Sequence, residues 1–198
     1  MMRKKQGFDT DHSSQSYEYY SEKQLESRDI EYLRALAPHN TKFTKNKMKL
    51  FVKGEGYPSI VCGSEITAKY FSCMVSEDYD WVTCEIVIDY NQDVFKELKQ
   101  FAREDHDHTL SVGRYGDKII VSACVHIDYG SVHDIAGGNF LDALLKLFIE
   151  IRKNVIEKRY EEMKLLAKYC EEPKSIMGFV PISEQSKRLK DYLDTSGG

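Results

Sequence analysis

The hydrophobic pattern of the chain changes period several times, and each change predicts an element. Ser21 and Gln24 have the spacing of a capping box, and Tyr20 and Leu25 are placed as its hydrophobic staple. Leu25, Tyr32, Leu33 and Leu36 then mark one face of a helix that Pro38 stops. Met48, Leu50 and Val52 alternate with lysines and Phe51, Gly54 and Gly56 allow a turn, and residues 58–62 read as a short strand or a loop. Phe71, Cys73 and Val75 alternate with Tyr70, Ser72 and Met74, and the polar run Ser76 to Asp80 turns the chain. Val82, Cys84, Ile86 and Ile88 alternate with Trp81, Thr83, Glu85 and Val87, the pattern of a strand with one face on a core.

Asn91 caps a helix with Phe95, Leu98, Phe101 and Ala102 at helical spacing. After the polar stretch Glu104 to His108 comes a hairpin around Gly116-Asp117, with Ile119, Val121, Ala123, Val125 and Ile127 alternating on its returning strand. From Asn139, after Gly137-Gly138, no breaker appears before Pro173, which predicts one helix of roughly 30 residues, about 45 Å long. Its first half, through Leu141, Leu144, Leu145, Phe148, Ile149, Val155 and Ile156, should cover the sheet. Its second half, with Tyr160, Met163, Leu166 and Tyr169, either projects toward another subunit or partner or folds back on residues 176–193. Residues 184–193 are weakly patterned as a final helix.

The expected class is α+β: an antiparallel sheet, made of a three-strand meander plus a hairpin, packed with helices in the order α-βββ-α-ββ-α. Residues 1–16 are polar and Ser-rich and read as a disordered tail. Residues 17–170 read as a single domain and 171–198 as a C-terminal extension.

Composition narrows the classes of function. With a net charge of -4, the chain lacks the basic surface that general nucleic-acid binding needs. Lys45, Lys47, Lys49 and Lys53 read as a solvated strand face. No apolar run approaches the ~18 residues of a membrane span, and Met1 to Lys5 lacks the apolar region of a signal peptide. Cys62, Cys73, Cys84, Cys124 and Cys170 are odd in number and form no C-x-x-C pair, so neither a zinc knuckle nor a disulfide framework is expected. A reducing cytoplasm is the simplest setting.

Few constellations carry chemistry, and none calls for a cofactor. In Glu104-Asp105-His106-Asp107-His108 an extended backbone puts His106 and His108 on one side. They could grip a metal with a carboxylate as third ligand, and with His126 and Asp128 approaching from the paired strand. The plainer reading is a solvated joint between helix and strand. Cys124 and His126 lack an orienting third group for nucleophilic catalysis, and His133 and Asp134 are read as ordinary polar side chains. Gly137-Gly138 is followed by Phe140-Leu141 and not by a P-loop's Lys-Ser/Thr. The terminal Gly197-Gly198 reads as a tail. A more distinctive surface is the far side of the meander, where Trp81, Val87, Tyr70 and Met74 would share one face, either as an exposed protein-binding patch or covered by the long helices.

The meander Tyr70 to Tyr90, the helix Gln92 to Glu104, the hairpin Thr109 to Asp128 around Arg114-Tyr115-Gly116-Asp117, and the helix after Gly138 cover roughly residues 20–165. In this order they resemble the YbjN family and the class I type III secretion chaperones, which share a fold. The resemblance implies a homodimeric, non-enzymatic, acidic protein that binds other polypeptides, holding an extended client across sheet and helices. Such a chaperone-like or adaptor protein is the expected function. The alternatives are an immunity or regulatory protein that neutralises one folded partner, and a metal-dependent enzyme using His106 and His108.

Overall fold

A computed structural model describes residues 14–37, 41–53, 63–78, 81–104, 108–126 and 140–194. In chain order the strands are β1 (Ser14–Tyr20), β2 (Thr41–Phe43), β3 (Lys47–Lys53), β4 (Cys73–Asp78), β5 (Trp81–Asp89), β6 (Arg103–Glu104), β7 (Thr109–Tyr115) and β8 (Lys118–His126). The helices are α1 (Ser27–Leu36), α2 (Ser64–Tyr70), α3 (Gln92–Lys99), α4 (Phe140–Ile156), α5 (Glu161–Glu171) and α6 (Glu184–Asp194), with a 3-10 helix at Pro173–Gly178. Among the described residues the eight strands form one sheet in the order β2-β3-β1-β4-β5-β8-β7-β6. Every pairing in it is antiparallel. The class is α+β, as the periodicity predicts.

The register explains the core. Val75, Cys84, Ala123 and Leu110 lie in one row across four strands, and Cys73, Ile86, Val121 and Val112 in the next. These rows are buried against Leu141, Leu144, Leu145, Phe148 and Ile151 of α4, Leu165 and Leu166 of α5, and Leu189 and Leu193 of α6. The opposite face takes a different cover. Tyr17, Tyr19, Met48, Leu50 and Met74 cluster with Leu25, Leu33 and Ala37 and with Ile66 and Phe71 at α2. A smaller contact joins Ala68 of α2 to Val87 and Ile120. Both faces of the sheet are thus partly roofed by helices, which is what an α+β domain with near-continuous apolar strands requires.

Several expectations are corrected. Residues 14–16 do not belong to a tail: they open β1, which sits between β3 and β4 inside the sheet. Tyr20 ends that strand, and the backbone N–H of Ser21 goes to the carbonyl of Asn46 (2.8 Å). The Ser21/Gln24 capping box therefore does not form, and α1 starts at Ser27 after Glu26, which makes no side-chain cap. The stretch before β4 holds the unforeseen helix α2, with Tyr70 at its end and Phe71 as its C-cap rather than in a strand. The short strands β2 and β6 also add to the expected order.

The single long helix divides in two. Lys158 takes φ 59, its N–H bonds to the carbonyl of Val155 (3.0 Å), and the N–H of Arg159 reaches that of Asn154 (2.8 Å). These two bonds make a Schellman stop with lysine where glycine is usual. Side chains secure the corner: Arg159 donates to Asn154 Oδ1 (2.7 Å), and Asn154 Nδ2 donates to Glu162 Oε1 (3.2 Å). Ser183 Oγ, just before α6, donates to the same Glu162 oxygen (2.9 Å). Of the two fates open to the second half of the helix pattern, the chain adopts folding back. Residues 171–194 are no appendage, since Ile176, Leu189, Tyr192 and Leu193 lie in the main core.

Two turns follow the sequence directly. Asn91 Oδ1 accepts from the N–H groups of Asp93 (3.0 Å) and Val94 (3.1 Å) and starts α3. Gly116 takes φ 58 at the hairpin, where an L side chain would be strained. The expectations for residues 1–13, Pro38, Gly54, Gly56, residues 58–62, Ile127, Gly137, Gly138, Asn139 and the terminal Gly197-Gly198 lie outside the described residues.

Candidate functional site

The four residues expected to share a binding face are not one surface. Val87 is 3% exposed under α2, and Met74, at 2%, is buried among the tyrosines of β1. Tyr70 is half-buried at the end of α2, with Lys69 Nζ 4.9 Å from its ring centre and the Tyr32 ring 6.0 Å away. Trp81 alone is clearly exposed, at 37%. The physical reason is α2: the alternation places Val87 and Met74 opposite the main core, and α2 and α1 cover that side.

Trp81 begins β5 directly across from His126 of β8. Their rings meet edge to face at 5.5 Å, and the His108 ring lies 6.3 Å from Trp81. His108 in turn packs at 4.9 Å on Tyr169 of α5, whose hydroxyl donates to the His126 carbonyl (3.4 Å). The His126 backbone N–H donates to His108 Nδ1 (3.3 Å), so that ring nitrogen serves as an acceptor. This end of the sheet is an aromatic joint between β5, β8 and α5. Among the described residues no group of three or more His, Cys, Asp or Glu side chains is placed to hold a metal ion. Asp105, His106, Asp107, Asp128, His133 and Asp134 lie outside the described residues, as does Cys62.

Among the described residues Cys73, Cys84 and Cys124 form no disulfide, and Cys170 is buried. Burial pushes the Cys73 thiol up to about 12 and that of Cys84 well above its ordinary value, so neither supplies a thiolate at neutral pH. Cys124 is half-buried on the same face as His126 and pairs with Thr83 and Thr109 across its two neighbours.

Two features escaped the sequence pattern. One is Glu85, a polar position on a strand that is 4% exposed because α2 covers it. Its Oε1 accepts from Ser64 Oγ of α2 (2.7 Å), and desolvation holds its carboxyl above the ordinary range. The other is the stretch from the end of the 3-10 helix to the start of α6. Met177, Val180 and Ile182 are 77%, 79% and 86% exposed there, the largest exposures among the described large apolar side chains. Gly178 and Pro181 interrupt any period in this run, so no amphipathic signal marks it.

A third feature belongs to the sheet's edge. β6 pairs with β7 only at Thr109 and Leu110, so Ser111–Tyr115 has no outer strand neighbour among the described residues.

No protein-family model and no curated protein matches this chain. No helix among the described residues is long and apolar enough to cross a membrane.

Proposed function

We propose that this protein is a non-catalytic protein-binding module, an adaptor that offers its exposed apolar strip Met177–Ile182 to a protein partner. The observation that carries the reading is the concentration of Met177, Val180 and Ile182 in six consecutive residues, each more than three-quarters exposed. Scattered exposed apolar side chains are ordinary on a soluble surface, but a contiguous group marks an interaction site. A strip of protruding side chains fits a groove in a folded partner, which favours the regulatory or immunity form of the reading. The edge of β7 at Ser111–Tyr115, with no outer strand neighbour among the described residues, favours the other form, in which an extended client adds as a strand, as the resemblance to secretion chaperones implies. Cys73, Cys84 and Cys124, which form no disulfide among the described residues, fit a reducing cytoplasm.

The test replaces Met177, Val180 and Ile182 together by Ser. Wild-type and variant protein are each used to capture companions from the native lysate, with mass spectrometry and elemental analysis. A stoichiometric companion held by the wild type and lost by the variant, at unchanged Tm, is the expected result. A companion that survives the substitutions moves the site to the β7 edge. Stoichiometric metal with no companion would replace the adaptor with the His106/His108 enzyme.

A further inference from the structure

Glu85 is an ionisable side chain in a place built for a neutral one. It is 4% exposed, and its Oε2 is buried with no hydrogen-bond partner. Among the described residues the groups around it are uncharged. In the cross-strand row β4 offers Met74 and β8 offers Ser122. From above, α2 offers Ser64, whose Oγ donates to Oε1 at 2.7 Å, and the fully buried Thr67. The two charged residues of α2, Glu65 and Lys69, are exposed, and Lys69 is engaged with the rings of Tyr32 and Tyr70 at 5.5 and 4.9 Å. An ionised Glu85 therefore has hydroxyls for company and no counter-charge among the described residues, the situation in which a buried carboxylate either takes a proton or regains water.

Water is one movement away, because α2 is short. It has two turns, and beyond the Glu85 cluster it is held by Ile66 in the cluster with Leu33 and Tyr19, and by Ala68 against Val87 and Ile120. Its C-terminal end runs directly into Phe71, which is buried in the neighbouring cluster and gives the segment a fixed pivot.

We propose that α2 is a proton-controlled latch on the β5–β8 face, docked while Glu85 is protonated and lifted when Glu85 ionises. Lifting would hydrate the carboxylate and uncover Val87 and Ile120, the apolar positions that the latch hides. The sign follows from the buried state of the acid. Desolvation raises the carboxyl's affinity for its proton when α2 is down, while hydroxyls of Ser64, Thr67 and Ser122 pull the other way and only partly offset it. Docking is therefore complete below the ordinary glutamate value of 4.5, weakens as pH rises beyond it, and levels off once pH passes the value in the docked state.

The experiment is native-state hydrogen exchange by mass spectrometry on the full chain between pH 4.5 and 8.5, read as protection factors corrected for the intrinsic pH dependence of exchange. Peptides covering 64–70 and 140–156 are compared in the wild type and in Glu85→Gln, which mimics the protonated acid. In the wild type, protection over 64–70 should fall by up to about tenfold per pH unit within the titration window while 140–156 holds its protection. In Glu85→Gln the 64–70 protection should be independent of pH. Equal pH dependence in both proteins, or a parallel loss over 64–70 and 140–156, overturns the latch. Ser64→Ala keeps the idea testable if Glu85→Gln does not fold. Removing a hydroxyl that favours the ionised form should extend the fall to higher pH, and an unchanged profile would count against the proposal.

Discussion

Two carboxylates placed in opposite electrostatic surroundings show how single residues set the pH behaviour of this domain. Asp142, in the first turn of α4, is flanked by Lys47 Nζ of β3 (3.0 Å) and Lys146 Nζ one turn on (2.7 Å). The hydrogen bond from Lys146 is the largest influence, and with Lys47 it draws the carboxyl down to about 2. Proximity to the helix N-terminus acts in the same direction. A depressed folded value stabilises the protein above the ordinary aspartate range and is lost as pH falls through it toward the folded value. Asp142→Asn is therefore expected to cost about 1 kcal/mol at neutral pH, a figure reduced for solvent screening, and to flatten the fall in stability between pH 4 and 2. Urea denaturation of both proteins across that range checks it. Glu85 has the reverse sign because burial desolvates it and no such cation among the described residues offsets that, so its ionisation opposes docking as pH rises. The i,i+4 pair of Asp142 with Lys146 is legible in the helix pattern. The other partners are not, because Lys47 and Ser64 come from elements far away in sequence.

At the scale of elements, local signals succeed where the chain's own neighbours satisfy the backbone. Asn91 capping α3 and Gly116 turning the hairpin are such cases. The α4–α5 corner is the counter-example. Lys158 carries no breaker signature, yet it adopts the left-handed conformation because the corner is secured from outside by Asn154, Glu162 and Ser183. A non-glycine residue in that conformation carries a cost, so Lys158→Gly should raise stability by about 0.5–1 kcal/mol. A thermal or denaturant melt measures it, and a loss of stability would show that the Lys158 side chain contributes packing that outweighs its backbone strain. The strand β1 escapes the pattern for a related reason. Gln15, Tyr17 and Tyr19 alternate with Ser16, Glu18 and Tyr20, and polar composition disguises a strand with neighbours on both sides. Glu18 is nearly buried there, paired with Lys49 Nζ of β3 at 2.5 Å.

The whole molecule is closed by its C-terminal helices. Ile176, Leu189, Tyr192 and Leu193 complete the core beneath the sheet, and Glu150 of α4 accepts from Gln185 (3.3 Å) and pairs with Arg188 (3.2 Å) of α6. Burying each such apolar side chain is worth about 1.5–3 kcal/mol, and together they rival the whole stability of a typical domain, about 5–15 kcal/mol. A chain ended after Glu171 is therefore expected to lose cooperative unfolding, as followed by circular dichroism against temperature. A sharp transition at the full-length Tm would show instead that these helices are dispensable. Contrast within this one region separates its roles: Leu189 and Leu193 are buried in the core, while Met177, Val180 and Ile182 are exposed to solvent, so replacing them should leave the core intact.

By itself, the sequence determined the α+β class, the inward stripe Val82, Cys84, Ile86 and Ile88, the cap at Asn91 and the turn at Gly116. Each depends on residues within a few positions of one another, where periodicity and backbone preference act directly. Only the tertiary structure decided that β1 lies inside the sheet, that the long helix breaks at Lys158, that Val87 and Met74 are covered while Met177, Val180 and Ile182 are not, and that Glu85 is buried without a counter-charge among the described residues. A hydrophobic period shows which face wants cover. What covers it is decided by elements that arrive from elsewhere in the chain, because burial and charge pairing act through space.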